Sequence, residues 1–225
     1  MTKKFFEAIL FDMDGLTINS EPQWLLAEQE LTGEYGYQWT IEDQAYCLGG
    51  PLSKVGQYMS DLTEGAESGP YFHRRLVELM TEKVRTHAEF MPGARELIEK
   101  LAVLKMPLAL VSASPRSIVD AALTHIDKFI EPMPFQITIS ADDVMRTKPD
   151  PEGYLLAAKL MGASIRNSLI LEDSMTGVTA ARASGARVIA VPHLVKIDED
   201  DQTRVIHSLE ELSIEQLQEY YGQWF

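Results

Sequence analysis

Two aspartates that stand one residue apart are the residues of this chain with the clearest potential for chemistry. Asp12 and Asp14 follow the apolar run Ala-Ile-Leu-Phe at 8–11, and Gly15 comes directly after them. The run predicts a buried strand, and ligands bind beyond the carboxyl ends of strands in open α/β sheets. The alternative is an acidic turn in which one aspartate caps a helix. Polar residues at the ends of other predicted strands would favour a ligand site over a simple acidic turn.

Polar residues also follow three other apolar stretches, either directly or in the loop that comes next. Because the carboxyl ends of parallel strands meet at one edge of a sheet, we expect these residues to lie near the two aspartates. Four polar clusters at one edge of a sheet are much less likely to arise by chance than a single acidic turn. The three further clusters are Ser112 after 106–111, Lys148 in the loop after 135–140, and Glu172 with Asp173 after 168–171.

This combination of side chains suits phosphoryl transfer. A carboxylate can attack phosphorus and form an aspartyl-phosphate, and a second acid can protonate the leaving oxygen and then activate water. Carboxylates crowded together repel one another and need a cation, and a set of oxygen ligands favours Mg²⁺. A serine hydroxyl and a lysine ammonium would bind the oxygens of the transferring group.

The elements that must hold these residues alternate between strand and helix over most of the chain. Such alternation predicts an α/β fold with a doubly wound parallel sheet. Strands are expected at 3–11, 106–111, 135–140, 168–171 and 187–191, and helices at 20–33, 94–104, 117–124, 151–162, 176–184 and in the tail from Ser208.

One stretch, 17–88, interrupts the alternation, because it is helical and polar and contains no convincing strand. We therefore expect an α/β catalytic core made of 1–16 plus 89–225, with 17–88 inserted as an all-helical cap. Ser20 is expected to cap the first helix, with Gln23 three residues later as its partner in a capping box.

Composition and charge narrow the possible functions. The chain has 225 residues, 45% of them hydrophobic, and no apolar run approaches the roughly 18–20 residues of a membrane span. A net charge of −14 argues against nucleic-acid binding, and it demands local positive charge if the substrate is a phosphate. Cys47 is the only cysteine and no signal peptide is evident, so a cytoplasmic location is expected.

Four short segments of the chain carry a family resemblance. They are Asp12-Met13-Asp14-Gly15, Ser112 within Val-Ser-Ala-Ser-Pro, Lys148 within Lys-Pro-Asp-Pro, and Glu172-Asp173-Ser174. In order and approximate spacing they resemble the four motifs of the haloacid dehalogenase superfamily. Within it the chain looks closest to the β-phosphoglucomutase-like branch of sugar-phosphate phosphatases, which carry a helical cap after the first motif.

The resemblance implies a role for each residue that would meet the phosphoryl group. Asp12 would be the nucleophile, and Asp14 would be the general acid and base. Ser112, Ala113 and Lys148 would bind the phosphoryl group of the substrate. A solvated loop lysine at Lys148 and a simple helix cap at Ser112 are the alternatives.

The resemblance also implies a Mg²⁺ site. Asp12 would bind the ion through its carboxylate and Asp14 through its backbone carbonyl. Asp173 would complete the site together with Glu172, which would act either directly or through water.

If a serine caps the helix that begins near residue 117, Ser114 is a better candidate than Ser112.

The cap departs from the mutase pattern. Trp24 stands where the mutase of this branch has a histidine that assists sugar turnover, which favours hydrolysis. The cap loop lacks the arginine that often contacts substrate, and Lys54 is either its substitute or a solvated lysine. Trp24 is either a substrate contact or a packing residue.

The sequence therefore predicts a monomeric, Mg²⁺-dependent phosphatase that acts on a small phosphorylated metabolite, most naturally a sugar phosphate. A phosphosugar mutase and a phosphonatase with Lys54 as its Schiff-base lysine remain open. A dehalogenase would not need Asp14 and relatives of the phosphonatase tend to lack the second aspartate, so the presence of Asp14 argues against both. A noncatalytic binding module predicts the loss of at least one motif residue, and none is lost.

Overall fold

The computed structural model describes residues 5–47, 50–192 and 196–225. The strands in these residues are β1 (Ile9–Phe11), β2 (Ile18–Asn19), β3 (Glu89–Phe90), β4 (Leu108–Val111), β5 (Ile137–Ile139), β6 (Leu169–Glu172), β7 (Arg187–Ala190) and β8 (Thr203–Val205). The α-helices are α1 (Glu21–Gly33), α2 (Ile41–Cys47), α3 (Leu52–Leu62), α4 (Gly69–His87), α5 (Ala94–Val103), α6 (Arg116–Asp127), α7 (Glu152–Met161), α8 (Met175–Ser184) and α9 (Ile214–Trp224).

Six strands form one parallel sheet in the order β5-β4-β1-β6-β7-β8. β1 lies in the middle, with Ile9 paired to Leu108 on one side and to Leu169 on the other. The predicted α/β fold with a doubly wound parallel sheet is thus confirmed. The edge strand β8 was not predicted, because its three residues, Thr-Arg-Val, carry no apolar run.

Helices cover both faces of this sheet, which explains why its strands are continuously apolar rather than alternating. Ile9 and Phe11 belong to the apolar layer that contains Ile118 of α6. Leu10, whose side chain points the opposite way, packs in the second layer with Tyr154 of α7. The carboxyl ends of the buried strands are therefore the part of the sheet that is open to a ligand.

The helices α1 to α4 all lie in the chain between β2 and β3, which pair with each other. These two strands form an antiparallel ladder in which Ile18 pairs with Phe90 and Asn19 with Glu89. The expectation of no strand within 17–88 was wrong at β2. Two residues are too few to give a periodic pattern, and their partner strand is remote in sequence.

No helix in the described ranges combines the length and the apolar character that crossing a membrane requires.

Glu28 is a buried acid in the middle of α1, with 4% of its surface exposed. Within the described residues its Oε2 atom has no hydrogen-bond partner, and neither has the indole nitrogen of Trp39. Burial, helped by the negative charges of Glu21 and Asp43, raises the pKa of Glu28 to about 8. The folded protein therefore favours the neutral carboxyl.

Glu28→Gln is expected to stabilise the protein above neutral pH. A pKa that folding raises from 4.5 to about 8 contributes stability that is present below pH 4.5 and lost as the pH rises towards 8. The variant lacks this loss, so its free energy of unfolding should exceed that of the wild type by about 2–3 kcal/mol at pH 7.5. Urea unfolding at pH 5 and pH 7.5 measures the difference.

The matched control is Glu34→Gln, which changes an exposed glutamate just after the same helix. It should leave both unfolding curves unchanged. Equal stabilisation by Glu28→Gln at the two pH values would contradict a buried, neutral carboxyl at this position.

Candidate active site

Lys148 is a buried cation at the carboxyl edge of the sheet, with 8% of its side chain exposed. Its Nζ atom donates to Oδ1 of Asp12, to Oε1 of Glu172 at 2.7 Å and to the carbonyl of Val111 at 2.9 Å. These bonds use all three protons of the ammonium. Burial alone would lower the pKa of Lys148, but the charges of Asp12 and Glu172 outweigh it and hold this pKa above its usual value. A solvated loop lysine is therefore ruled out.

Asp12 extends the central strand by one residue and is 6% exposed. Its N–H donates to the carbonyl of Leu171 at 3.0 Å, and its own carbonyl accepts a 2.5 Å bond from the hydroxyl of Thr17. Burial raises the pKa of Asp12 to about 8 although Lys148 opposes it, and the charge of Glu172 adds to the rise. The backbone thus fixes the Asp12 carboxylate in a buried position, where its negative charge is costly.

Three carboxylates meet at this point. Oxygens of Asp12, Glu172 and Asp173 lie within 4.8 Å of one another. Burial, together with the negative charges of Asp12 and Glu172, raises the pKa of Asp173 to about 9. Lys148 neutralises only part of this negative charge. The carboxylate set therefore fits a divalent cation, which would favour the ionised form of each member.

Two glycines leave room for this crowding. Gly15 has φ +80°, and a Cβ atom there would overlap Oδ2 of Asp173. A Cβ atom at Gly177, in the first turn of α8, would overlap the carboxylate of Glu172. Both acids can therefore sit against backbone only because neither glycine carries a side chain.

Asp14 is held by three hydroxyl groups. Its Oδ1 accepts from Ser20 at 2.7 Å, and its Oδ2 accepts from Ser112 at 3.2 Å and from Ser114 at 2.9 Å. Ser112 and Asp14, predicted to meet at the sheet edge, thus do so. Ala113 lies between the two serines and is exposed.

The two caps expected from the sequence are absent. Ser20 occupies the N-cap position of α1 but makes no side-chain bond to the helix, and Gln23 donates instead to the carbonyl of His87 at 3.0 Å. The cap position of α6 is Pro115 rather than Ser114. In both places the serine hydroxyl pairs with a carboxyl oxygen of Asp14 rather than with an N–H group of the helix.

Trp24 and Lys54 lie in the inserted helices rather than among these contacts. Trp24 is half-buried and packs against the main apolar layer. Lys54 is exposed and lines a cavity of about 440 Å³ together with Gly50 and residues of α2 and α3, among them Cys47 and Tyr58. Substrate contact by either residue stays a prediction.

Tyr154 is the site residue that sequence reasoning missed. Its hydroxyl donates a 2.6 Å hydrogen bond to Oε1 of Glu172. The residue stands six positions after Lys148 in the helix that follows the lysine loop, where a tyrosine fits an apolar pattern equally well. Nothing in that pattern distinguishes a hydroxyl aimed at a carboxylate from one that faces solvent.

The fold is a parallel α/β sheet, and the cluster at its carboxyl edge joins one buried ammonium to three carboxylates. Residues 9–191 match the family profile described as haloacid dehalogenase-like hydrolase. A phosphorylated carbohydrates phosphatase of Thermotoga maritima is 30% identical over 191 residues, which cover 83% of this chain and 86% of that protein. A fructose-1-phosphate phosphatase of Escherichia coli is 29% identical over 83% of this chain and 96% of its own length.

Solved structures agree in fold. A family IA hydrolase of Entamoeba histolytica superposes with a TM-score of 0.79 at 21% identity, and the match covers 96% of this chain and 99% of that one. A β-phosphoglucomutase of Clostridium difficile gives 0.77 at 20% identity, over 98% and 99% of the two chains. The chain belongs to the haloacid dehalogenase-like hydrolase family. Within that family it is a phosphatase, that is, a phosphoric monoester hydrolase.

Proposed function

We propose that the chain is a Mg²⁺-dependent phosphatase that hydrolyses a sugar phosphate or a similar small phosphorylated metabolite through an aspartyl-phosphate on Asp12. The observation that carries the proposal is the buried Lys148 ammonium, shared between Asp12 and Glu172 at the open edge of the sheet. It supplies local positive charge in a protein whose net charge is −14. The two relatives named above, which act on phosphorylated carbohydrates, support the substrate class.

In the first step a carboxylate oxygen of Asp12 attacks phosphorus while the bond from phosphorus to the ester oxygen breaks. Asp14 gives its proton to the departing oxygen, so that the product leaves as an alcohol. As Asp12 attacks, Lys148 would turn the proton that it shares with Asp12 towards an oxygen of the transferring phosphoryl group. The hydroxyl of Ser112 would bind another of these oxygens, and Ala113 offers its backbone beside them. Ser112, which donates to Asp14 at 3.2 Å, would redirect its proton to the phosphoryl oxygen.

In the second step water attacks the phosphorus of the aspartyl-phosphate, and Asp14 accepts the proton of that water. The bond between phosphorus and Asp12 breaks, which releases inorganic phosphate and restores both acids. Asp12, Glu172 and Asp173, with the backbone carbonyl of Asp14, would hold Mg²⁺. The ion, when bound, neutralises charge on the phosphoryl oxygens and on the clustered carboxylates.

The helical stretch 17–88 would act as the cap that selects the substrate, and 1–16 with 89–225 would form the catalytic core. The pairing of Ile18 with Phe90 lies where the cap would join the catalytic core. Trp24 and Lys54 are the cap residues that we assign to substrate contact. Because a tryptophan replaces the histidine of the mutase, hydrolysis is preferred to sugar-phosphate mutation.

Removal of divalent cations tests this proposal. EDTA should reduce phosphate release from p-nitrophenyl phosphate by roughly 100-fold or more, because the neutralisation of transition-state charge is worth several kcal/mol. Mg²⁺ added in excess should restore the rate. Fluoroberyllate, which mimics a phosphoryl group on a carboxylate, should inhibit in the presence of Mg²⁺. Undiminished activity in EDTA would contradict the proposal.

A further inference from the structure

Tyr154 lies on α7 within the apolar layer between that helix and the sheet, and it is fully buried. A buried hydroxyl costs free energy unless it is paired, and this one donates to Oε1 of Glu172 at 2.6 Å. The tyrosine and the glutamate therefore hold each other in place.

The same oxygen of Glu172 also accepts from Nζ of Lys148, at 2.7 Å. In addition, Nζ lies 4.9 Å from the centre of the Tyr154 ring, within the range of a cation–π contact. Tyr154 thus contacts both members of the ion pair: its hydroxyl binds the carboxylate, and its ring lies against the cation.

The remaining contacts of Glu172 cannot replace this one. Its Oε2 accepts from the N–H groups of Asp173 and Ser174 and from the hydroxyl of Ser174, at 3.1–3.3 Å. Without the Tyr154 hydroxyl, Lys148 would be the one donor left on Oε1. The Glu172 carboxylate could then draw the Lys148 ammonium towards itself and away from Asp12.

We propose that Tyr154 is a positioning residue for phosphoryl transfer, which through Glu172 sets the place of the Lys148 ammonium beside Asp12. This inference rests on the proposed function, in which Lys148 binds the oxygens of the transferring group. Groups that orient the residues around a reacting centre typically contribute about 10–100-fold to activity.

Tyr154→Phe tests the hydroxyl alone, because the ring, its volume and its contact with Lys148 are kept. We expect kcat for p-nitrophenyl phosphate to fall roughly 10–30-fold while KM changes by less than about threefold, since the lost alignment matters in the transition state. The control is Tyr37→Phe, which removes a tyrosine hydroxyl from Asp43 in the helical stretch. It should leave kcat unchanged.

A second readout does not depend on turnover. Tyr154→Phe should weaken the binding of orthovanadate, which mimics the phosphoryl group in the transition state, measured by calorimetry in the wild-type background. It should have no further effect in a Lys148→Met background, because the hydroxyl acts through the lysine. Equal effects of Tyr154→Phe in both backgrounds would overturn the proposal.

Folding and function can be told apart. Phenylalanine fills the same volume in an apolar layer, so Tyr154→Phe should fold, and thermal unfolding checks this. Tyr154→Leu is a second variant without the hydroxyl, and wild-type kcat in either folded variant would overturn the positioning role. Full activity of Asp12→Asn would instead overturn the proposed function, whereas an inactive Asp12→Asn beside a fully active Tyr154→Phe would reject the role of Tyr154 alone.

Discussion

Asp12→Asn is expected to abolish phosphate release, with a loss of roughly 10⁴-fold or more in kcat, as for other nucleophiles removed from covalent mechanisms. The amide of asparagine keeps the shape of the side chain but is a poor nucleophile towards phosphorus. The backbone of this residue continues the ladder of β1 through its bond to Leu171, so the substitution should not move the strand. Steady-state kinetics with p-nitrophenyl phosphate and Mg²⁺ measure the loss.

Loss of folding should not account for this result. Burial and neighbouring carboxylates raise the pKa of Asp12, so a neutral isostere removes a repelled charge and should keep the melting temperature within a few degrees. The control is Asp198→Asn, at a side chain that is 81% exposed, and its activity should equal that of the wild type. A phosphorylated species trapped on Asp12→Asn would contradict the role of this carboxylate.

Lys148→Met is expected to lower kcat/KM by roughly 10²–10³-fold, the usual cost of removing a preorganised group that stabilises transition-state charge. It should also destabilise the metal-free protein by about 3–5 kcal/mol at neutral pH, because it leaves buried carboxylates without their cation. Kinetics and urea unfolding in EDTA measure the two effects.

The pH dependence of that destabilisation has a defined sign. Folding raises the pKa of Asp12 from 3.8 to about 8, so its contribution to stability is present below pH 3.8 and lost as the pH rises towards 8. Without Lys148 the free energy of unfolding should fall more strongly as the pH rises, and the variant should recover most of its stability at pH 5. Lys159→Met, at an exposed lysine on α7, is the control and should change neither quantity. A pH-independent loss in Lys148→Met would contradict the charge argument.

The strand ends and the polar residues at them were predictable from the sequence because each follows a distinct local pattern. The aspartates come directly after a short apolar run, and Lys148 precedes a proline that interrupts helix. Parallel pairing then brings the ends of β1, β4 and β6 to one edge whatever the details of packing. The sequence accordingly predicts that Asp12, Ser112 and Lys148 lie close together, and in the structure Lys148 contacts Asp12 while Ser112 contacts Asp14.

Contacts in which two groups compete for the same side chain were not predictable from the sequence. Ser20 has the sequence of a helix cap, yet its hydroxyl binds Asp14 because the fold offers a carboxylate at 2.7 Å. The hydroxyl of Tyr154 and the buried carboxyl of Glu28 depend on the direction of a side chain, which periodicity does not report. The same holds for β2, whose partner comes from a distant part of the chain.

The short ladder of β2 and β3 also bears on how new specificities can arise. Ile18 and Phe90 are paired neighbours, so the chain enters the helical stretch and leaves it at almost the same point. A segment with adjacent ends can be exchanged for another of different length without stretching the scaffold that carries it. Under the proposed function, helices α1 to α4 would therefore be a unit that relatives can exchange, with the Asp12 cluster left intact while the surface that selects the substrate is replaced.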